Sequence, residues 1–346
     1  MVDSTEIHRL LDDLRQGSRR ALARSITLVE SRRASDREAA DFLMDKVDRT
    51  LVQRDNPNPL GWSMAVTGPP GAGKSTLIDL LGCQALDRGH RVAVLAIDPS
   101  SAKSGGSILG DKTRMQRLAT RDQAFVRPSP AGTMLGGTAR ATQEAMDLCR
   151  FAGFDWVMVE TVGVGQNETE VSNLVDWTLL VLLGRSGDEL QGIKRGIVEA
   201  ADTVLVNKAD GDGIDAALET CSFYRSALAL FPPHALEGWQ VPCLTLSALK
   251  ETGLDAFWST LQTLQNLPGF DPWLRAKRSE QRIHQYRRKL NQTLWAVMGE
   301  GRGSEVGQTI EEGVRTGQYS PAAAVSKTME ALGLQGEGIH KAIQKG

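Results

Sequence analysis

The chain has 346 residues, 41% of them hydrophobic and 24% charged, enough for one large core-forming domain with attachments or for two domains. A formal net charge of −2 gives no global attraction to nucleic acid or to an acidic membrane. The four cysteines, Cys83, Cys149, Cys221 and Cys243, are far apart within apolar segments, and the five histidines are equally scattered, so buried free thiols are expected rather than a disulfide framework or a zinc site.

The start, "MVDSTEIHRLLDDLRQG", carries acids where a targeting peptide would be basic and apolar. Runs such as "WTLLVLL" (177–183) are too short to cross a bilayer, and a soluble cytoplasmic protein is expected. Residues 5–52 read as helices: Ile7, Leu10, Leu11 and Leu14 share one face, and Ala39, Phe42, Leu43, Val47 and Leu51 repeat the pattern. The prolines of "RDNPNPLG" (54–61) then break the helix. From Gly61 the pattern turns β–α, with strand-like runs "WSMAVT" (62–67), "RVAVLAI" (91–97), "WVMVE" (156–160), "TLLVLL" (178–183), "TVLVN" (203–207) and "CLTLS" (243–247). Most are continuously apolar, as expected for strands covered on both faces, and helical segments between them supply the crossovers of a mostly parallel sheet.

"LPGFDPW" (267–273) closes this region. Beyond it Ile283, Tyr286, Leu290, Leu294 and Val297 form one stripe of a helix with basic residues opposite. The stripe reads either as a subunit interface or as a face docked on the chain's own sheet. A helical extension outside a complete domain needs a cover, which favours the interface. A helical tail follows to about Gly333, then a loose glycine-containing end.

"GPPGAGKS" (68–75) matches the phosphate-loop pattern G-x-x-x-x-G-K-[ST], after a strand and before a helix. Glycines let backbone N–H groups face phosphates, Lys74 supplies a point charge, Ser75 a hydroxyl for Mg²⁺, and the helix N-terminus its positive dipole end. Gly71, Ala72, Gly73, Lys74, Ser75 and Thr76 are the expected phosphate-side contacts. "NKAD" (207–210) follows a later strand and brings Asn207, Lys208 and Asp210. Asp210 can accept from guanine N1–H and the 2-amino group, which adenine lacks, while Asn207 can meet the other edge. "SAL", residues Ser247, Ala248 and Leu249, either backs the guanine with main-chain N–H groups or is an ordinary strand-end turn. Three carboxylates offer themselves to Mg²⁺ beside Ser75: Asp98, Asp111 and Glu160. A capping role for Asp98 or Asp111 fits the same spacing. The fold expected is therefore an α/β P-loop NTPase. It would comprise an N-terminal helical extension (1–58), a nucleotide domain (59–270) and a C-terminal helical arm (271–346).

With these motifs on the chain, residues 5–335 resemble the methylmalonyl-CoA mutase-associated GTPases, the MeaB/ArgK group of SIMIBI P-loop GTPases. The likeness is carried by "GPPGAGKST", "VLAIDPSSAKSGGSILGDKTRM", "RPSPAGTMLGGTARAT", "ETVGVGQNE", "GDELQGIKRGI" and "NKAD". It implies a GTP-hydrolysing chaperone, binding GTP, GDP and Mg²⁺, for an adenosylcobalamin-dependent acyl-CoA mutase. Such proteins gate cofactor loading, protect the mutase and are typically homodimers joined through C-terminal helices. Asp98, Asp111 and Glu160 fall on the family's metal-side acids, 98–107 on switch I and 160–168 on switch II. "GDELQGIK" (187–194) falls on a third switch, with Gln191 and Lys194 as its nucleotide-responsive side chains; read alone it is a polar loop. Asn167 departs from the family's small Ser.

Hydrolysis in such a site rests on positioning and electrostatics, with Lys74, Asp98, Asp111 and Gln166 as the expected catalytic side chains. Ras-like enzymes orient the water with a Gln directly after the DxxG glycine. Here Val164 holds that place and cannot hydrogen-bond water, so slow intrinsic turnover quickened by a partner is expected. Three other readings compete: a metallochaperone GTPase, which needs His/Cys ligands near the switches; an ATP-dependent kinase linked to amino-acid transport, which "NKAD" opposes; and a module that binds nucleotide without turnover.

Overall fold

The computed structural model describes residues 4–31, 33–53, 61–98, 115–130, 137–161, 168–184, 195–299, 302–331 and 333. Seven parallel strands form its centre: β1 (Trp62–Thr67), β2 (Val92–Asp98), β3 (Ala124–Pro130), β4 (Trp156–Glu160), β5 (Trp177–Leu183), β6 (Thr203–Asn207) and β7 (Cys243–Thr245), in the order β3-β2-β4-β1-β5-β6-β7. The sheet is thus wholly parallel rather than mostly so, and β3 is a strand that apolar runs alone did not reveal. "AFVRPSP" carries two prolines, which a central strand rejects for want of a ladder donor; β3 lies at the sheet edge, where they are tolerated.

Alternate residues of each strand enter different cores, as the pleat demands. Ala65, Ala93, Leu95, Val157 and Val159 face a layer built from α1 (Ser4–Arg15), α2 (Arg19–Glu30), α3 (Ala34–Gln53) and, after β3, the helix Gly137–Phe151. Met64, Val66, Val92, Val94, Met158, Leu179 and Val181 face the other side, against α4 (Lys74–Asp87) and the helix Leu254–Gln265. Leu180, Leu182, Val204 and Val206 join a third cluster with the helix Ile214–Leu228. Burial on both faces is why these strands read as unbroken apolar runs. Among the described residues, no helix is long and apolar enough to cross a membrane.

The chain divides into two compact units, 1–281 and 282–346, the division falling within the helix Phe270–Gly299. In the first unit this helix is held by charge. Asp176, the residue before β5, receives Arg278 Nε on one oxygen at 2.8 Å and Arg278 Nη2 on the other at 2.7 Å. The Ser63 backbone N–H (2.9 Å), Ser63 Oγ (2.8 Å) and Arg150 Nη2 (3.2 Å) donate to the same carboxylate. Arg278 Nη2 also reaches the Gly61 carbonyl at 2.7 Å, and Lys277 Nζ the Asp176 carbonyl at 2.8 Å. Burial alone would push the Asp176 carboxyl up; Arg278, by charge and hydrogen bond, with Arg150 and Ser63, holds it well below the usual carboxylate range.

The second unit contains the end of that helix with Arg302–Arg315 and Pro321–Ala331. Between them runs a groove of about 570 Å³ lined by Leu294, Ile310, Val314, Val325 and Met329, among others. Ile283, Tyr286 and Leu290 are exposed on the same unit.

Candidate active site

The C-terminal ends of β1, β4, β6 and β7 bring the motifs to one edge of the sheet. This is the usual ligand edge of an open parallel sheet, where crossovers leave in opposite directions. At the end of β1 the chain turns sharply through Gly68 (φ +140°), where an added Cβ would lie 1.9 Å from the Val181 carbonyl oxygen. The loop closes at Gly73 (φ +84°), and α4 starts at Lys74. A Cβ on Gly73 would stand 2.5 Å from Asn207 Nδ2, so the loop fits only with glycine at that point.

Lys74 is buried, and its Nζ donates to the loop carbonyls of Gly68 (2.8 Å) and Pro69 (3.0 Å). A full positive charge is thereby held over the mouth of a loop whose amides and helix N-terminus also favour anions. Gly71, Ala72 and Thr76 complete the loop and the first turn of the helix.

Ser75 Oγ donates to Glu160 Oε1 at 2.7 Å. The register of β1 and β4 pairs Val66 with Glu160, so the acid stands at the strand end beside the phosphate loop. A hydroxyl and a carboxylate in contact are hard oxygen donors of the kind Mg²⁺ takes, and such a site holds few protein ligands because the ion keeps water and phosphate oxygens. Asp98 is the last residue of β2, in the neighbouring position of the sheet; its side chain lies outside the described set. Asp111, Val164, Gln166, Gln191 and Lys194 also lie outside the described residues.

On the base side, Asn207 is buried and both ends of its amide are engaged by the protein. Nδ2 donates to the Ala72 carbonyl at 2.8 Å, and Oδ1 accepts from the Ala248 N–H at 3.0 Å. It therefore braces the phosphate loop against the "SAL" turn, a role its place in "NKAD" did not announce. Lys208 takes a left-handed conformation (φ 58°), which swings the chain toward Asp210. Ser247 Oγ donates to Asp210 Oδ1 at 2.6 Å and accepts from the Lys250 N–H at 3.1 Å. Reciprocal backbone bonds between Ser247 and Thr252 (3.1 and 3.2 Å) close this turn. The carboxylate is thus aimed by one oxygen while retaining lone pairs for a ligand carrying adjacent donors. Leu249, 75% exposed, presents an apolar side chain at the same turn.

Two polar residues were overlooked in the sequence. Thr67 and Thr161, both buried, end or follow β1 and β4, and their hydroxyls meet at 3.0 Å. The available signal was a hydroxyl closing each apolar run, "WSMAVT" and "WVMVET".

The profile of the family described as "Methylmalonyl Co-A mutase-associated GTPase MeaB" matches residues 22–301. GTPase ArgK of Escherichia coli (strain K12) is 40% identical over 294 residues, covering 85% of this chain and 86% of the relative. Methylmalonic aciduria type A homolog, mitochondrial, of Mus musculus is 44% identical over 278 residues, covering 80% of this chain and 67% of the relative. Among solved structures, that of LAO/AO transport system kinase superposes with a TM-score of 0.71 at 30% identity, covering 96% of this chain and 99% of the other.

Proposed function

The chain belongs to the family of methylmalonyl-CoA mutase-associated GTPases, and from that premise we propose that it is the GTP-driven chaperone of an adenosylcobalamin-dependent acyl-CoA mutase. In this reading it gates cofactor loading and protects the mutase from inactivation. The observation that supports this most is the family match over residues 22–301, which takes in the phosphate loop, the three acids Asp98, Asp111 and Glu160, and the "NKAD" turn.

Lys74 and the loop amides would hold the β- and γ-phosphates, Asp210 the guanine edge, and Ser247, Ala248 and Leu249 its surroundings. Ser75 and Glu160, with Asp98 and Asp111, would hold Mg²⁺, which when bound neutralises charge on the phosphate oxygens. Gln166 or Asp111 would help place the attacking water, since Val164 cannot. Gln191 and Lys194 would report nucleotide state to the mutase. The exposed Ile283, Tyr286 and Leu290 of the second unit are consistent with a homodimer joined through its C-terminal helices. That one structural relative is named a kinase raises ATP as a rival. The Ser247-aimed Asp210 disfavours it, because adenine has no pair of adjacent donors to offer the carboxylate lone pairs that Ser247 leaves open.

The test is capture of an acyl-CoA mutase by the immobilised chain loaded with GDP or with a non-hydrolysable GTP analogue. Capture that differs between the two states is expected. Equal capture in both, or none in either, would remove the chaperone reading while leaving the GTPase intact.

A further inference from the structure

We infer that Thr161 and Thr67 form a latch that positions Glu160 for the divalent cation, an inference that rests on the Mg²⁺ role proposed for Glu160 and Ser75. The β1–β4 ladder ends at the pair Val66 and Glu160. One residue further, the Thr161 N–H donates to the Val66 carbonyl at 3.1 Å, and Thr161 Oγ1 donates to Thr67 Oγ1 at 3.0 Å. Thr67 is the residue before Gly68, which opens the phosphate loop, and Thr161 is the residue after Glu160. Two consecutive side chains of the β4 end are therefore tied to opposite sides of that loop. Glu160 reaches Ser75 beyond it, and Thr161 reaches Thr67 before it.

Both threonines are essentially inaccessible, at 0% and 3% exposure, so water does not compete for the hydroxyls. Losing the bond leaves a buried polar atom unpaired, which is a larger penalty than the net worth of the bond itself. With the latch made, the peptide between residues 160 and 161 has one orientation, and the carboxylate has one approach to Ser75. Without it, the backbone keeps the Thr161 N–H bond to Val66 and the pairing of Glu160 with Ala96 on β2, but the side-chain tie next to the phosphate loop is gone, and the Glu160 carboxylate samples positions away from the cation. Thr161 is a positioning residue in this scheme: it acts on the cation through Glu160 and touches neither nucleotide nor metal.

The experiment is the release rate of a fluorescent GDP from the purified full-length chain, titrated with Mg²⁺, in wild type, T161V, T67V, T161S and E160Q. Valine keeps the volume and removes the hydroxyl, whereas serine keeps the hydroxyl. T161V and T67V should each raise the Mg²⁺ concentration at half-effect by about three- to tenfold, as expected for one buried hydrogen bond. T161S should return it to within about twofold of wild type, a rescue that looser packing alone would not give. E160Q should shift it at least as far as either valine. If E160Q shifts the midpoint while both valine variants stay at the wild-type value, the latch is wrong and the cation site stands. If T161V shifts it and T161S fails to restore it, packing is responsible and the latch is again wrong. If E160Q itself leaves the Mg²⁺ dependence unchanged, the assignment of Glu160 falls, and the latch with it. Should T161V fail to fold, T67V makes the same test from the other side of the bond.

Discussion

Asp210→Asn should lower the affinity for GTP by roughly a thousandfold and turn the site toward xanthosine triphosphate. Guanine offers two adjacent donors, N1–H and the 2-amino group, to one carboxylate. Asparagine can accept only one of them and points an N–H₂ at the other, so a donor faces a donor. Xanthine carries a carbonyl where guanine carries the amine, and the asparagine N–H₂ satisfies it. Ser247 Oγ fixes Asp210 Oδ1 at 2.6 Å and can serve the asparagine oxygen in the same way, so the substitution changes the donor pattern without releasing the side chain. Competition binding with GTP, ATP and xanthosine triphosphate measures the effect. A variant that keeps GTP affinity within about tenfold of wild type, with no gain for xanthosine triphosphate, would show that Asp210 does not read the base.

Arg278→Met should cost about 3–5 kcal/mol of stability at neutral pH, because it leaves Asp176 buried with its bidentate partner removed. Methionine fills much of the same space, so the loss comes from a buried charge left with only Arg150 and Ser63 as partners rather than from a cavity. The sign of the pH dependence follows from the direction of the shift. The folded-state pKa of Asp176 is depressed, so its stabilisation is present above the unfolded carboxylate pKa of about 4 and lost as pH falls toward the folded value. The gap between wild type and variant in urea denaturation should thus be widest near pH 7 and narrow below about pH 4. A gap that is constant across that range would mean that packing, not the buried ion pair, holds the helix.

The candidate nucleotide site was legible because its residues are local in sequence. Gly68 to Ser75 form one turn, and Asn207 to Asp210 another, each of which carries its geometry in eight or four consecutive residues. Strands such as "WVMVE" were legible because both faces are buried. What escaped was of two kinds. β3 was hidden by Pro128 and Pro130, whose tolerance depends on lying at an edge, a property of the whole sheet. Contacts across large separations were also hidden. Nothing near "LVDWTLL" announces that Asp176 will meet Arg278, 102 residues away. Nothing in "NKAD" shows that Asn207 will hold the Ala72 carbonyl, 135 residues away. The Thr67–Thr161 contact belongs to the same class: each threonine alone is an ordinary end to a strand. Polar groups that close an apolar run therefore merit a search for partners before they are read as caps, since burial obliges each to find one.

The proposed function requires a GTPase that is slow alone and quickened by an acyl-CoA mutase. The most direct measurement is single-turnover GTP hydrolysis by the purified chain, with and without an adenosylcobalamin-dependent acyl-CoA mutase. Slow hydrolysis by the chain alone, raised on adding the mutase, is the predicted result, because Val164 supplies no hydrogen bond to the attacking water. Fast hydrolysis by the chain alone, at a rate the mutase does not change, would contradict it.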